Sequence, residues 1–200
     1  MQNPFIVAVI AYLLGNFSSA YVLGKILKKE DIRSYGSGNA GATNALRVFG
    51  KKIGIIALIS DVLKGVLAVY IGGLILGEQG RLIAAVFVVL GHNWPVFLRF
   101  KGGKGIATSL GVIALLHWPT IAISAIIAIL IIVKTKYVSL GSIIGASLTP
   151  IIGIIMNRPF DKGFFSITLI LCIMAIFQHR SNLKRLIQGE ELKLIEKKNR

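Results

Sequence analysis

Long uncharged stretches alternate with short basic ones along this chain. Residues 4–24, 53–60, 82–98, 105–133 and 137–157 contain no Asp, Glu, Lys or Arg. A helix needs roughly 20 apolar residues to cross the hydrocarbon core of a bilayer. The pattern therefore predicts membrane-spanning helices at Phe5–Leu27, Ile53–Leu76, Leu82–Leu98 and Val138–Met156, with a shorter one at Phe164–Phe177. No Lys or Arg precedes Lys25, so the first stretch lacks the basic start of a secretory signal and reads as a retained span.

The stretch 106–133 is either one long span or two short ones broken at His117-Trp118-Pro119. Charge bias separates the two, because cytoplasmic loops collect Lys and Arg. With two spans, residues 25–52, 99–104, 134–136 and the tail from Arg180 share one side and hold nineteen basic residues, against three opposite. With one span the split is 12 to 10. The expectation is an all-α polytopic membrane protein of seven spans, a single integral membrane domain over residues 1–200. Its N-terminus lies outside, its C-terminus in the cytoplasm, and short helices occupy the cytoplasmic loops.

Composition narrows the function classes. Apolar residues make up 54% and charged ones 16%, whereas a soluble domain carries about a quarter charged. A soluble, disordered or disulfide-stapled chain is excluded, and the single Cys172 has no internal partner. The net charge of +15 would suggest nucleic acid in a soluble protein. Here only Lys64 of the 23 basic residues lies inside an apolar segment, so the charge points to anionic lipid and anionic substrate instead.

The basic loops carry candidate chemistry. In the first, Gly36, Gly38 and Gly41 let the backbone turn and present successive N–H groups to an anion. A short helix is expected from about Thr43, capped by Thr43 or Asn44, with Arg47 one turn on; amides, hydroxyls, a helix start and an Arg suit a phosphate. An ordinary Gly/Ser turn is the bland alternative. The second loop, Arg99-Phe100-Lys101-Gly102-Gly103-Lys104-Gly105, runs into another helix start. It is not a Walker A loop, since Gly follows Lys104 and Leu98 stands where the first glycine belongs. Arg99 and Lys101 read as membrane anchors, and Lys104 between glycines as functional.

Within the spans, Asp61 and Lys64 sit three apart on one helix face and are expected to pair and to hold a loop, with substrate contact as the alternative. His92 lies in the third span ahead of Pro95, which should kink that helix. His117 beside Trp118 reads as an interfacial anchor. His179 and Asn182 share a face at the cytoplasmic end of the last span. No Cys/His metal spacing, HExxH, GxSxG or His-x4-Asp pattern occurs, and no metal or organic cofactor is implied.

The segments GSGNAGATNALR at 36–47, DVLKG at 61–65, GHNWPVFLRFKGGKGIATSLG at 91–111, YVSLGS at 137–142 and HRSNLKRLIQGEE at 179–191 resemble the bacterial acyl-phosphate:glycerol-3-phosphate acyltransferases over almost the whole length. That resemblance implies transfer of an acyl group from acyl phosphate to the sn-1 hydroxyl of glycerol 3-phosphate. The products are lysophosphatidic acid and phosphate, made at the cytoplasmic face of the bacterial inner membrane. It also implies a soluble partner that makes the acyl phosphate. The first motif falls on Ser37, Gly38, Asn39, Gly41, Thr43, Asn44 and Arg47, the second on Gly102, Gly103 and Lys104. The serine pair falls on Ser139 and Ser142, the last motif on His179 and Asn182.

An acyl phosphate is already activated, so direct attack by the hydroxyl needs no covalent intermediate. Lys104 and Arg47 are then expected to neutralise phosphate, and Ser37, Asn44, Ser139 and Asn182 to position the hydroxyl. His179 is either the base or an orienting group beside a leaving phosphate that takes the proton. Asp61, Lys64 and His92 are structural polar residues, and the acyl tail lies in a groove between spans. The rival from another class is a transporter or exchanger of phosphate or a phosphorylated metabolite. It would need a polar site near the membrane midplane, and only Asp61, Lys64 and His92 lie there.

Overall fold

The computed structural model describes residues 3–194, and among these there are helices and loops but no strand. The helices are α1 (Pro4–Asn16), α2 (Ser19–Leu23), α3 (Ala42–Phe49), α4 (Lys51–Asn93), α5 (Ile106–Thr135), α6 (Val138–Met156), α7 (Lys162–Gln178) and α8 (Arg180–Gln188). By length and composition, four stretches can cross a membrane: Pro4–Lys28, Lys51–Leu98, Ile106–Thr135 and Val138–Met156. The α7–α8 pair, bent by 56°, makes a fifth. Ile, Leu and Phe side chains crowd the perimeter, with Leu74, Leu130 and Ile173 all exposed, as a lipid-facing surface requires.

Both long helices are interrupted. α4 leaves helical geometry at Leu76 and at Gly77, whose φ of 57° suits a residue without a Cβ. Its second arm folds back: Gly72 packs on Gly80 and Ala84, and Lys64 Nζ lies 2.7 Å from His92 Nδ1. A straight helix would hold those two residues about 42 Å apart. α5 leaves helical geometry at His117, inside the triplet that the charge count singles out. There Pro119 opens a new helical arm, a position where its missing N–H costs nothing. The ends of α5 return to one place, since Lys104 before it and Ser139 after it are joined through Asn182 and Glu191.

Small residues let the arms approach closely. Gly65 on α4 meets the backbone of Thr108 and Val112, and Gly111 on α5 meets that of Val62 and Val66. Gly141 and Gly145 of α6 do the same against Ala128. Val7, Ala11, Ala84, Val88, Val112 and Ile167 fill the common core.

Two expectations need correction. The first stretch is not one continuous helix, because it breaks at Phe17 and restarts at Ser18, whose hydroxyl caps α2 by accepting from Tyr21 N–H. The break persists because Lys64 Nζ donates to the freed carbonyls of Phe17, at 2.6 Å, and Gly15, at 3.3 Å. Likewise, Pro95 ends the helix rather than kinking it: α4 stops at Asn93, and Trp94 is driven out of the helical region by the proline that follows.

Candidate active site

The loop at 36–44 is wound around one side chain. Asn44 is buried; its Oδ1 accepts from Ser37 N–H at 2.9 Å, and its Nδ2 donates to the carbonyls of Ile32 (3.1 Å), Tyr35 (2.9 Å) and Asn39 (2.9 Å). Gly36 and Gly38 take φ of 61° and 71° to make the turns. Neither Thr43 nor Asn44 caps α3. Gly41 stands at the cap, where it has no side chain to offer, and the Asn44 amide points back into the loop. Both amide hydrogens of Asn44 are therefore committed to its own loop, and it shapes the turn that presents Ser37, Asn39 and Thr43.

The loop at 101–105 hangs on other elements. Gly102 N–H donates to Asn93 C=O at 3.3 Å and Gly103 N–H to His92 C=O at 3.0 Å. The Gly102 carbonyl accepts from Asn39 Nδ2 at 3.2 Å and from Ala40 N–H at 3.4 Å, which ties the two loops together. The His92 ring lies where any side chain on Gly103 would have to go. That ring is anchored by Lys64, which pairs with Asp61 at 2.9 Å. Asp61, Lys64 and His92 thus form the expected buried pair and more: they brace the α1–α2 break on one side and the Gly103 loop on the other. Arg99 and Lys101 are exposed, as anchors should be.

Lys104 points inward and donates to Asn182 Oδ1. Burial pulls its ammonium down to about 8, a shift the nearby Glu191 carboxylate opposes. Asn182 Nδ2 donates to Glu191 Oε1 at 2.6 Å, and Ser139 Oγ donates to the same oxygen at 2.9 Å. Arg185 Nε donates to Glu191 Oε2 at 2.9 Å. Burial would raise the Glu191 carboxyl, but these hydrogen bonds outweigh it and hold it below its ordinary value. His179 Nδ1 sits 2.8 Å from Ala175 C=O, which can only accept, so Nδ1 carries the proton and Nε2 is left bare. Burial, with the Lys104 charge beside it, brings the imidazole down to about 4, so it is neutral at pH 7.

One cavity of about 400 Å³ gathers nearly all of these groups. Ser37, Asn39, Gly41, Thr43, Asn44, Arg47, Lys104, Ser139, Ser142, His179 and Asn182 line it, with Asp61 and His92 at its wall. Gly38, Gly102 and Gly103 lie outside it and serve the loop backbones, and Lys64 faces away. Arg47 lines the mouth while donating to the carbonyls of Leu192 (2.9 Å) and Lys193 (3.2 Å). Below the mouth the walls turn apolar, with Ile113, Ile121, Ile129 and Leu171.

The residue that sequence reasoning missed is Glu191. Its neighbours His179 and Asn182 stand out by spacing, but the segment after Gly189 has no periodicity to mark it. Only the fold shows that this carboxylate joins α6, α8 and, through Asn182, Lys104. A Glu-Glu pair just beyond a helix-ending glycine in a chain with eight acidic residues is the one signal that was available.

The family profile described as glycerol-3-phosphate acyltransferase matches residues 5–189. A glycerol-3-phosphate acyltransferase of Thermoanaerobacter pseudethanolicus is 52% identical over 95% of both chains. The Clostridioides difficile protein of that name is 44% identical over 96% of each. Among solved structures, PlsY, an integral membrane glycerol 3-phosphate acyltransferase, in its glycerol 3-phosphate form superposes with a TM-score of 0.89 at 34% identity. That match covers 95% of this chain and 94% of the other. The lysophosphatidic acid form of the same protein gives 0.86.

Proposed function

The chain belongs to the glycerol-3-phosphate acyltransferase family, and from that premise we propose that its acyl donor is an acyl phosphate and its acceptor the sn-1 hydroxyl of glycerol 3-phosphate. The observation that carries this reading is the cavity itself, where two glycine-supported basic loops meet at a polar mouth above an apolar shaft. Two phosphates and one aliphatic tail are what such a site suits. The solved relative is described in glycerol 3-phosphate and lysophosphatidic acid forms, which supports the acceptor and the product class.

The chain crosses the bacterial inner membrane seven times in this reading. The two fold-backs, at Leu76-Gly77 and at His117, each turn one long helix into two crossings. The N-terminus is then outside, and the loops bearing Arg47, Lys104 and His179 lie together on the cytoplasmic side.

The transfer is direct. The hydroxyl oxygen attacks the acyl carbon, the bond from that carbon to the bridging phosphate oxygen breaks, and inorganic phosphate leaves. Lys104, with Arg47 and the loop amides, stabilises the charge on the departing phosphate. The bare Nε2 of His179 accepts a hydrogen bond from the attacking hydroxyl and aims it. The proton ends on phosphate: a phosphate whose second pKa is about 6 is a better base than an imidazole held at about 4. Ser37, Ser139 and Asn182 align the substrates, a proximity effect.

The test uses purified protein in lipid with glycerol 3-phosphate and either palmitoyl phosphate or palmitoyl-CoA, with Lys104→Ala alongside. The expected result is lysophosphatidate and an equivalent of phosphate from palmitoyl phosphate alone, lost in the variant. Product from the CoA ester instead would overturn the donor assignment.

A further inference from the structure

The cavity has a defined depth. Along the second arm of α5 its lining runs from Ile132 to Ile121, along α6 from Val138 to Thr149, and along α7 from its capping residue His179 to Thr168. Each covers twelve residues, that is eleven rises or about 16 Å of helix, so three independent walls end at one level. The hydroxyls at that level are already used: Thr149 donates to Gly145 C=O at 2.8 Å and Thr168 to Phe164 C=O at 3.0 Å.

What lies beneath is aromatic. Phe164 is one turn below Thr168 and only 4% exposed. Its ring meets the His117 ring edge-on, with centroids 5.6 Å apart. On the α6 side it presses on Gly153 so closely that a methyl group there would clash. His117 is fixed in turn by a 2.8 Å bond to Thr120 Oγ1. The break in α5, the small residue of α6 and the start of α7 therefore converge on one side chain, each of the three lying one helical turn beyond the last residue that lines the shaft on its own helix.

We infer that Phe164, backed by His117 and Gly153, is the floor of the acyl channel and sets the longest chain the enzyme accepts. The channel depth of about 16 Å is close to half of the roughly 30 Å hydrocarbon thickness of a bilayer. It therefore suits an aliphatic chain that fills one leaflet. This rests on the acyl-transfer reading above, and it adds a specificity determinant outside the polar mouth.

The experiment compares kcat/KM for decanoyl, palmitoyl and arachidoyl phosphates, with full-length protein in lipid. Phe164→Ala is expected to raise the arachidoyl-to-palmitoyl ratio by about tenfold or more, since misfit of even one methylene in an apolar pocket changes rates by about that much. Because Phe164 also packs the core, Thr149→Leu provides a second arm that fills the channel above the floor. It should shift preference towards decanoyl phosphate by a similar factor. Length ratios unmoved in the folded variants would overturn the floor. A wild-type protein that transfers no acyl group from any of the three phosphates is a different result, and would sink the donor reading along with it.

Discussion

The two glycine-bearing loops at the mouth look alike in sequence and are held in opposite ways. Residues 36–44 close on themselves, since one buried amide, that of Asn44, satisfies four backbone groups of its own neighbourhood. Residues 101–105 have no such centre and borrow every support: carbonyls from the end of α4, a ring from His92, a side chain from α8. A self-supporting loop can be read from its own residues. A hung loop takes its geometry from the fold around it, and it carries the more strongly perturbed charge, Lys104.

The sharpest break in that comparison is Lys104→Ala. Removing a preorganised charge from a transition-state site costs about 10²–10³ in rate, so kcat/KM should fall by that factor while helix content stays unchanged by circular dichroism. A loss under tenfold would move the phosphate charge to Arg47 alone. Next comes Asn44→Ala, which leaves the Asn39 carbonyl and the Ser37 N–H without a partner and takes one of two hydrogen bonds from the Ile32 and Tyr35 carbonyls. Each buried orphan costs about 1–3 kcal/mol, so the first loop opens rather than bearing them. Amide hydrogen exchange should quicken by one to two orders of magnitude over residues 35–41 and stay at its wild-type rate over 101–105, and activity should fall about 10- to 100-fold. Equal quickening in both loops would mean that the first is not self-supporting.

Legibility followed the same division. The glycines, Lys104, His179 and Asn182 announce themselves by local spacing, and the break at His117 by its proline together with the charge count. The break at Phe17 leaves only a faint local signal, the run Gly15-Asn16-Phe17-Ser18-Ser19 inside an uncharged stretch, and the group that stabilises it, Lys64, lies far along the chain. Glu191 escaped for the same reason: its four partners, Ser139, Asn182, Arg185 and indirectly Lys104, come from three separate segments. Composition cannot tell an amide that faces substrate from one that faces its own backbone, and Asn44 gives its amide hydrogens to its own loop.

Glu191→Gln tests the hung loop's outermost support with a smaller effect. Oε1 can still accept from Ser139 and Asn182, but the charge facing Arg185 is gone. Hydrogen bonds to charged groups contribute about 1.5–3 kcal/mol, so the free energy of unfolding should fall by an amount in that range, read as a lower melting temperature. The pH dependence has a definite sign. The Glu191 carboxyl titrates lower in the folded protein than in the unfolded chain, so its stabilisation is present above the unfolded value of about 4.5 and is lost as pH falls through the folded value. The variant should lose that acid sensitivity. Full retention of it would place the responsible carboxylate elsewhere.

The smallest effect is a titration of the hung loop's own charge. Lys104, brought down to about 8 by burial, is mostly charged at pH 7 and half neutral near pH 8. If the charged form is the active one, kcat/KM should fall by about half between those values and tenfold per unit beyond. His179, held at about 4, should leave no limb near 6.5, where an ordinary histidine would titrate. Replacing Lys104 by Arg, which stays charged throughout, should flatten the alkaline limb even if the maximal rate drops, because the fork of Arg does not reproduce the geometry of an ammonium. An alkaline limb that survives Lys104→Arg would belong to another group, and the two loops would then differ in how they are held but not in which of them senses pH.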